Sequence, residues 1–516
     1  MAPDAIQPRS MMTPAWRTRI FAACGAVLAV VMGAAIAQEA FLWPAVVAGA
    51  LVTVMIIYVQ PLPLPTLLLG AAAVGYIVGN RGFAQLYLAG AFPLLPAELV
   101  LVVGIAVTFV QSAWRREIPF ERNLINAALL LWMTLGTLRF LLDVRFHGFT
   151  AVRDFALVYY GLFFFLVQRF ASHAQSRRFL QQCVLGGCVA LLVVHPLFTQ
   201  FQTFFLQTLT VRGMPLIYFK GDLAGNFMAL GSLLAFTRFE EARRFRWLLV
   251  SLALAGLMLT TNSRSSMVGL AVGAGWLAVS GRWKFTGVLG LSAALTALVF
   301  VAVTYFRNAS WEQTPVYSLY ERVASIIDPL GRRAYVTEDM LSKSDNNTFR
   351  IVWWRASIDE TVQTNPWFGL GFGHDLAQRF VRDYYPEGND DFSARSPHNV
   401  LITTFARMGF VGLASFLILM MAMAVRTWRV LRDNDAYLRA GAWWCGAWVL
   451  LSCAFFGVVL EGPMGAVVFW TVLGLASACS AKPETEFQEN PDVYDPTVIQ
   501  HRQTPQPALS VNSLIP

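Results

Sequence analysis

Of the six histidines in this chain, His398 stands directly after Pro397, where a polar stretch meets a long apolar run, SARSPHNVLITTFARMGFVG. SPHN reads as a helix start, with Ser396 as N-cap, Pro397 as the first helical residue and His398 in the first turn. The positive end of a helix dipole disfavours imidazolium. His398 is therefore expected to be neutral, the form that can accept a proton as a general base. A second group of residues has the chemistry of anion binding. TLTVRGMPLIYFKGDLAGN carries Arg212 and Lys220, and LTTNSRSSMVGL carries Arg264 between two apolar runs with almost no loop around it. A guanidinium at a membrane surface is costly unless something anionic or polar pairs with it. Phosphate suits it through charge-assisted, bidentate bonds. The ligand these residues suggest is a lipid-borne phosphate or diphosphate. Two plainer readings stand beside this one: arginines that snorkel to lipid headgroups, and a histidine that only caps or hydrogen-bonds at the interface.

The elements that must position these residues are membrane helices. Of 516 residues, 56% are hydrophobic and only 14% charged, well below the charge of a soluble domain. Apolar runs of spanning length recur along the chain. About fourteen are expected, near residues 20–37, 41–59, 64–79, 94–112, 124–142, 154–170, 180–198, 222–237, 247–261, 265–280, 285–304, 399–425, 441–460 and 464–480. The first follows Arg17 and Arg19 and ends in AIA before Gln38; it reads as an uncleaved span, with a cleaved signal peptide as the alternative. The net charge of +8 is read loop by loop, as topology and not as affinity for nucleic acid. With a cytoplasmic N-terminus, basic clusters such as Arg115, Arg116 and Arg122, or Arg238, Arg243, Arg244 and Arg246, all fall inside. Against that pattern, Arg81, Arg145, Arg153, Arg212, Lys220 and Arg264 fall in short outer loops.

The expected fold class is all-α: a polytopic bundle of about 12–14 spans with one large outer loop bearing short helices. Its parts would be N-terminal membrane helices at 1–304, the loop at 305–397, C-terminal membrane helices at 398–480 and a disordered cytoplasmic tail at 481–516. In the loop, TFRIVWWRASIDETVQTN sets Trp354, Ile358 and Val362 on one helix face, pairs Arg355 with Asp359 at i,i+4, and ends at Pro366. HDLAQRFVRDYY brings Leu376 and Phe380 together. Trp353 and Trp354 suit either a helix at the membrane surface or packing within the loop.

At the histidine the chain resembles the O-antigen ligase and O-antigen polymerase superfamily. HNVLITTFARMGFVG has that family's His-Asn, nine residues, then Gly-x-x-Gly, at His398, Asn399, Gly409 and Gly412. TTNSRSSMVGL is similar to its Ser-Arg stretch, and FRIVWWRASIDETVQTNPWFGLGFG to its loop segment of Arg, Trp, then Pro and a glycine cluster. The resemblance covers roughly residues 210–425. It implies a metal-independent glycosyltransferase of the bacterial inner membrane, without cofactor, acting at the periplasmic face in surface-polysaccharide biosynthesis. The donor would be a glycan on undecaprenyl diphosphate. The acceptor would be another lipid-linked glycan for a polymerase, or lipid A core for a ligase. His398 would take the proton of the attacking hydroxyl. Arg212 and Arg264 would hold the diphosphate, with Lys220, Arg350 and Arg395 as further candidates for the same anion. The loop has no clear copy of the ligases' Arg-x-x-x-Leu element; RGMPL at Arg212 has the spacing but lies in another loop. That tilts the reading to polymerase.

Other signals point less far. GLGFG, Gly369 to Gly373, follows no strand of a βαβ unit and reads as a turn between loop helices. Glu387, Asp390 and Asp391 in EGNDD lack a full calcium-loop pattern. The rival function is transport of lipid-linked glycans. A transporter calls for acids at midplane and paired broken helices. The acids available in the spans are chiefly Glu98 and Glu461, and no internal repeat is found.

Overall fold

A computed structural model describes residues 62–87, 95–116, 120–261, 263–306, 315–328, 338–385, 392 and 394–481. The expected spans at 20–37 and 41–59, the EGNDD acids and the tail from residue 482 lie outside them. The described chain is almost wholly helical. In order come α1 (Leu64–Ala84), α2 (Pro96–Arg115), α3 (Leu124–His147), α4 (Phe149–Asp154), α5 (Ala156–Tyr159), α6 (Leu162–Phe170) and α7 (Ala174–Gln200). A two-stranded hairpin follows, β1 (Thr210–Val211) and β2 (Met214–Pro215). Then come α8 (Gly221–Ala242), α9 (Phe245–Thr260), α10 (Arg264–Val279), α11 (Lys284–Phe306), α12 (Pro315–Ile327), α13 (Glu338–Thr364), α14 (Gln378–Tyr384), α15 (Val400–Arg432), α16 (Ala442–Ala454) and α17 (Pro463–Ser480). Among the described residues, six helices are long and apolar enough to cross a membrane, or seven when α4–α6, bent by 42°, is taken as one broken span. The chain is an all-α, multi-pass membrane protein.

Burial sorts these helices into two kinds. All thirteen residues of α16 are buried, as is α8 from Leu223 to Thr237, so these are apolar all round because protein surrounds them. The outer helices instead present Phe109 and Val110 of α2, Leu138 and Leu141 of α3, and Leu291 and Leu298 of α11, all well exposed. In a bilayer those side chains face acyl chains. Central helices approach through small residues, as membrane helices commonly do. A Cβ at Gly225 of α8 would lie 2.3 Å from Oγ of Ser266 in α10. That hydroxyl donates to the Asp222 carbonyl at 3.1 Å, so the starts of α8 and α10 are pinned to one another.

Each expected span within the described residues is met by a helix, with two corrections. The run at 441–460 stays helical only to Ala454; the non-helical stretch that follows carries Gly457, Glu461 and Gly462 and ends where Pro463 opens α17. The run at 399–425 becomes a 33-residue helix broken at Gly409, where φ is 63° and ψ is −161°. Thirty-three residues at 1.5 Å each exceed the roughly 30 Å hydrocarbon core. The break separates a first short segment, Val400–Met408, from the long apolar run after it.

Into that break docks the glycine loop after α13. The backbone N–H of Phe410 donates to the Pro366 carbonyl at 2.8 Å, and that of Leu370 to the Ala406 carbonyl at 2.7 Å. The loop is the expected turn: Gly369, Gly371 and Gly373 all have positive φ. Its free N–H groups meet carboxylates, Phe372 N donating to Asp143 at 2.8 Å and Gly373 N to Asp154 at 3.0 Å. Above the loop, Trp353 is fully buried against Ala377 and Phe380, with its ring stacked on Phe380 at 5.1 Å. Packing within the segment is therefore the role of Trp353. Arg355 and Asp359 are both exposed and form no ion pair among the described residues.

The Gly409 conformation is nearly closed to other residues, and a Cβ there would lie 2.3 Å from the Trp367 backbone. Gly409→Ala is expected to destabilise the fold by more than about 2 kcal/mol. The check is a lowered unfolding midpoint of the detergent-solubilised protein; an unchanged midpoint would contradict the docking described.

Candidate active site

The helix start at His398 differs from the expected one. α15 begins at Val400, and its N-cap is Asn399, whose side-chain oxygen accepts from the N–H groups of Leu401 (3.0 Å) and Ile402 (3.3 Å). Ser396 is not the cap; it is buried, with its hydroxyl 3.2 Å from that of Thr403. His398 precedes the helix in a left-handed conformation, φ 58°. Asparagine wins the cap because its short amide reaches two free N–H groups at once. The strained histidine backbone is held from both sides, by the Asn399 cap and by Trp354, whose Nε1 donates to the Pro397 carbonyl at 2.6 Å. The imidazole lies edge-on to the Trp353 ring, 5.7 Å between centroids. The Ser396 backbone acts on the ring, and a neutral imidazole has one nitrogen that can accept a proton.

Electrostatics keep that ring neutral. Burial lowers the His398 pKa first, and the positive charges of Lys220 and Arg350 lower it further. Asp222 and the Ser396 backbone oppose them, and the result is about 4. The helix-dipole argument reached the right charge state, but burial and two cations are the larger causes.

Three helices begin at this end of the bundle: α8, α10 and α15. Their dipoles, and the start of α8, which has no side-chain cap, make such a place favourable for anions. Lys220 immediately precedes α8, with its N–H donating to Asn80 Oδ1 at 3.0 Å and its ammonium 3.4 Å from Asp222. Arg350 reaches the same place from α13. It is half-buried, burial lowers its pKa, and the Asp222 charge opposes that shift. Arg264 opens α10, capped by Ser263, and its Nη1 lies 3.5 Å from the Ser325 hydroxyl of α12. Its neighbour Ser265 lies 3.6 Å from the Cys453 sulfur, which itself sits beside Arg350 and Asp222.

The remaining two expected anion ligands are placed differently. Arg212 is the first residue of the two-residue hairpin turn, φ 53°, followed by Gly213 at φ 79°, and it is exposed. It is not among the charges that act on His398. Arg395 lies near the histidine but is already engaged: it donates to the Gly373 carbonyl at 3.1 Å and lies 3.8 Å from both Asp154 and Asp375. The cluster thus joins His398, Lys220 and Arg350, with Arg264 on the adjoining helix start. Asp222 is a member that the sequence reading passed over; its place in KGD, beside Lys220 at a helix start, was the available signal.

A family comparison bears on the same part of the chain. Residues 248–417 match the family model described as O-antigen ligase. Over those residues the chain is similar to the O-antigen ligase family. The match runs from α9 into α15, so Arg264, Arg350, Arg395 and His398 fall within it, while Lys220 and Asp222 do not. No curated protein matches the sequence. The resemblance read from the His-Asn helix is borne out at the level of the superfamily. An enzyme of the O-antigen ligase or polymerase kind acts in general on lipid-linked glycans.

Since positive neighbours disfavour imidazolium, removing one raises the His398 pKa. NMR titration of labelled histidine is expected to show His398 neutral from pH 8 to about 5, and Lys220→Met is expected to move its midpoint upward. A wild-type midpoint near the ordinary value of about 6.5 would refute this electrostatic account.

Proposed function

We propose that this protein is a metal-independent glycosyltransferase of the bacterial inner membrane. It joins undecaprenyl-diphosphate-linked glycan units at the periplasmic face, as a polysaccharide polymerase. The observation that carries the reading is a neutral, oriented imidazole beside Lys220 and Arg350 where three helix starts meet. That set suits one reaction class. The acceptor hydroxyl attacks the anomeric carbon of the donor glycan, and its proton passes to the unprotonated nitrogen of His398. The bond from that carbon to the diphosphate oxygen breaks, and its electron pair leaves with undecaprenyl diphosphate. Lys220, Arg350 and Arg264 stabilise the charge that develops there, through fixed cations in a water-poor site.

A lipid-borne donor is also supported by an apolar cavity of about 770 Å³ between α9, α10, α11 and α12. Leu252, Leu259, Leu270 and Leu289 line it, and Arg322 stands at its polar end. Ser325, three residues from Arg322, is the hydroxyl that Arg264 approaches. A polyprenyl chain lying there would bring its diphosphate toward the cations. In this reading the segment 305–397 lies in the periplasm and the N-terminus in the cytoplasm, as the distribution of basic residues implies. Polymerase is favoured over ligase because that segment has no clear Arg-x-x-x-Leu element.

The test uses purified protein in lipid, supplied with undecaprenyl-diphosphate glycan alone or together with lipid A core, with products resolved by mass. A ladder of repeats from donor alone supports the polymerase; single transfer only with core makes it a ligase. His398→Ala is expected to cut the rate about 10²–10⁴-fold, and Arg350→Ala about 10²–10³-fold. Full activity in both folded variants would overturn the site, and transfer under neither condition would return the transporter reading.

A further inference from the structure

A second cavity, of about 200 Å³, opens beside His398. It is far smaller than the apolar one and below the range of pockets for drug-sized ligands, a size for a sugar ring and not for a lipid chain. Polar side chains are well represented in its lining. Arg153 and Asp154 come from α4, Thr403 from α15, and Glu461 from the unwound stretch between α16 and α17; Arg395 and His398 also line it. Lys220, Arg350 and Arg264 do not line it. His398 is the group it shares with the cationic cluster.

We propose that this cavity is the acceptor-sugar subsite, in which Glu461 and Arg153 bind hydroxyl groups of the sugar that attacks. The proposal rests on the glycosyl-transfer reading and deepens it. The chemistry sets the arrangement. In a displacement at the anomeric carbon, the nucleophile enters opposite the leaving group. The diphosphate belongs with Lys220, Arg350 and Arg264, so the entering hydroxyl belongs away from them, and this cavity touches the base without being lined by any of the three. The lining suits a polyol. A carboxyl beside a guanidinium offers acceptor and donors to adjacent hydroxyls. Glu461 accepts from the Thr403 hydroxyl at 3.0 Å, which fixes one oxygen. Asp154 is spoken for by Arg407 and the glycine loop. Arg395 has a buried Nε with no hydrogen-bond partner among the described residues. Arg153 is exposed at the cavity and enters no ion pair among the described residues.

The test measures donor and acceptor KM separately. The donor is the undecaprenyl-diphosphate repeat unit. The acceptors are the same repeat oligosaccharide capped as a methyl glycoside, which can only accept, and lipid A core; the one that wild type uses is carried forward. Glu461→Gln and Arg153→Ala are each expected to raise acceptor KM about tenfold or more, the size of one lost hydrogen bond to a charged group. Donor KM is expected to stay within about twofold of wild type. Arg153→Ala guards against a folding artefact, since Arg153 is exposed and unpaired. An unchanged acceptor KM in both variants, or a rise in donor KM instead, would overturn the subsite while leaving the enzyme reading intact. If wild type transfers to neither acceptor, the enzyme reading fails and the subsite falls with it.

Discussion

The buried pair between Arg407 and Asp154 holds the site in place. Their atoms lie 2.9 Å apart, with side chains 3% and 9% exposed. Burying two charges is expensive, and the interaction returns that cost only when further hydrogen bonds satisfy both groups. Here they do. The Arg407 guanidinium also donates to the carbonyls of Gly371 and His374, and Asp154 also accepts from the Gly373 N–H. One pair therefore ties α4, the glycine loop and the first segment of α15 into a single unit. Removing either partner would strand a buried charge, at a cost of about 3–5 kcal/mol. His398 stands nine residues before Arg407, on the segment that this clamp immobilises.

From that constraint the break at Gly409 gains its purpose. A straight α15 would leave no room for the Pro366–Leu370 backbone, which bonds to Ala406 and Phe410 on either side of the break. With the break, the polar segment is anchored into the membrane helix. Trp353 and Trp354 then reach the histidine directly, one by its ring and the other through the Pro397 carbonyl. The segment between α11 and α15 is thus a wall of the site, and its aromatic packing sets where the imidazole stands.

Hydropathy made the membrane helices legible, because a spanning run must be apolar whatever it packs against. The same signal could not show that α15 breaks, since Gly409 sits in an unbroken apolar stretch and its left-handed backbone depends on a loop forty residues upstream. His398, Lys220 and Arg350 were legible as types of residue in the right order. Arg212 was not separable from them by sequence: its RG dipeptide is what a two-residue hairpin turn demands, and nothing in the spacing says that the turn stands apart from the cluster. The N-cap went to Asn399 over Ser396 because Pro397 and a left-handed His398 intervene, a geometry set by tertiary contacts. In the sequence Glu461 was one of the few acids within the apolar runs, too few to favour ion coupling. The structure places it in a non-helical stretch facing the histidine, where a carboxyl has a different use.

The charges at this end of the bundle divide by whether their partners are already present. Arg407 is saturated by protein groups and serves structure. Arg395 is mostly engaged with Asp154, Asp375 and a carbonyl. Among the described residues, Lys220 pairs with Asp222 at 3.4 Å and the same carboxylate acts on Arg350, so two cations stand against one acid. Three helix starts add to that excess. Such an arrangement costs stability unless an anion completes it. After burial, the surplus lowers the His398 pKa further, since the field of the cations also repels a proton from the base. Binding a diphosphate would relax that field and raise the histidine's basicity. The base would then strengthen when substrate is bound, so that a single electrostatic arrangement selects the donor and activates the acceptor.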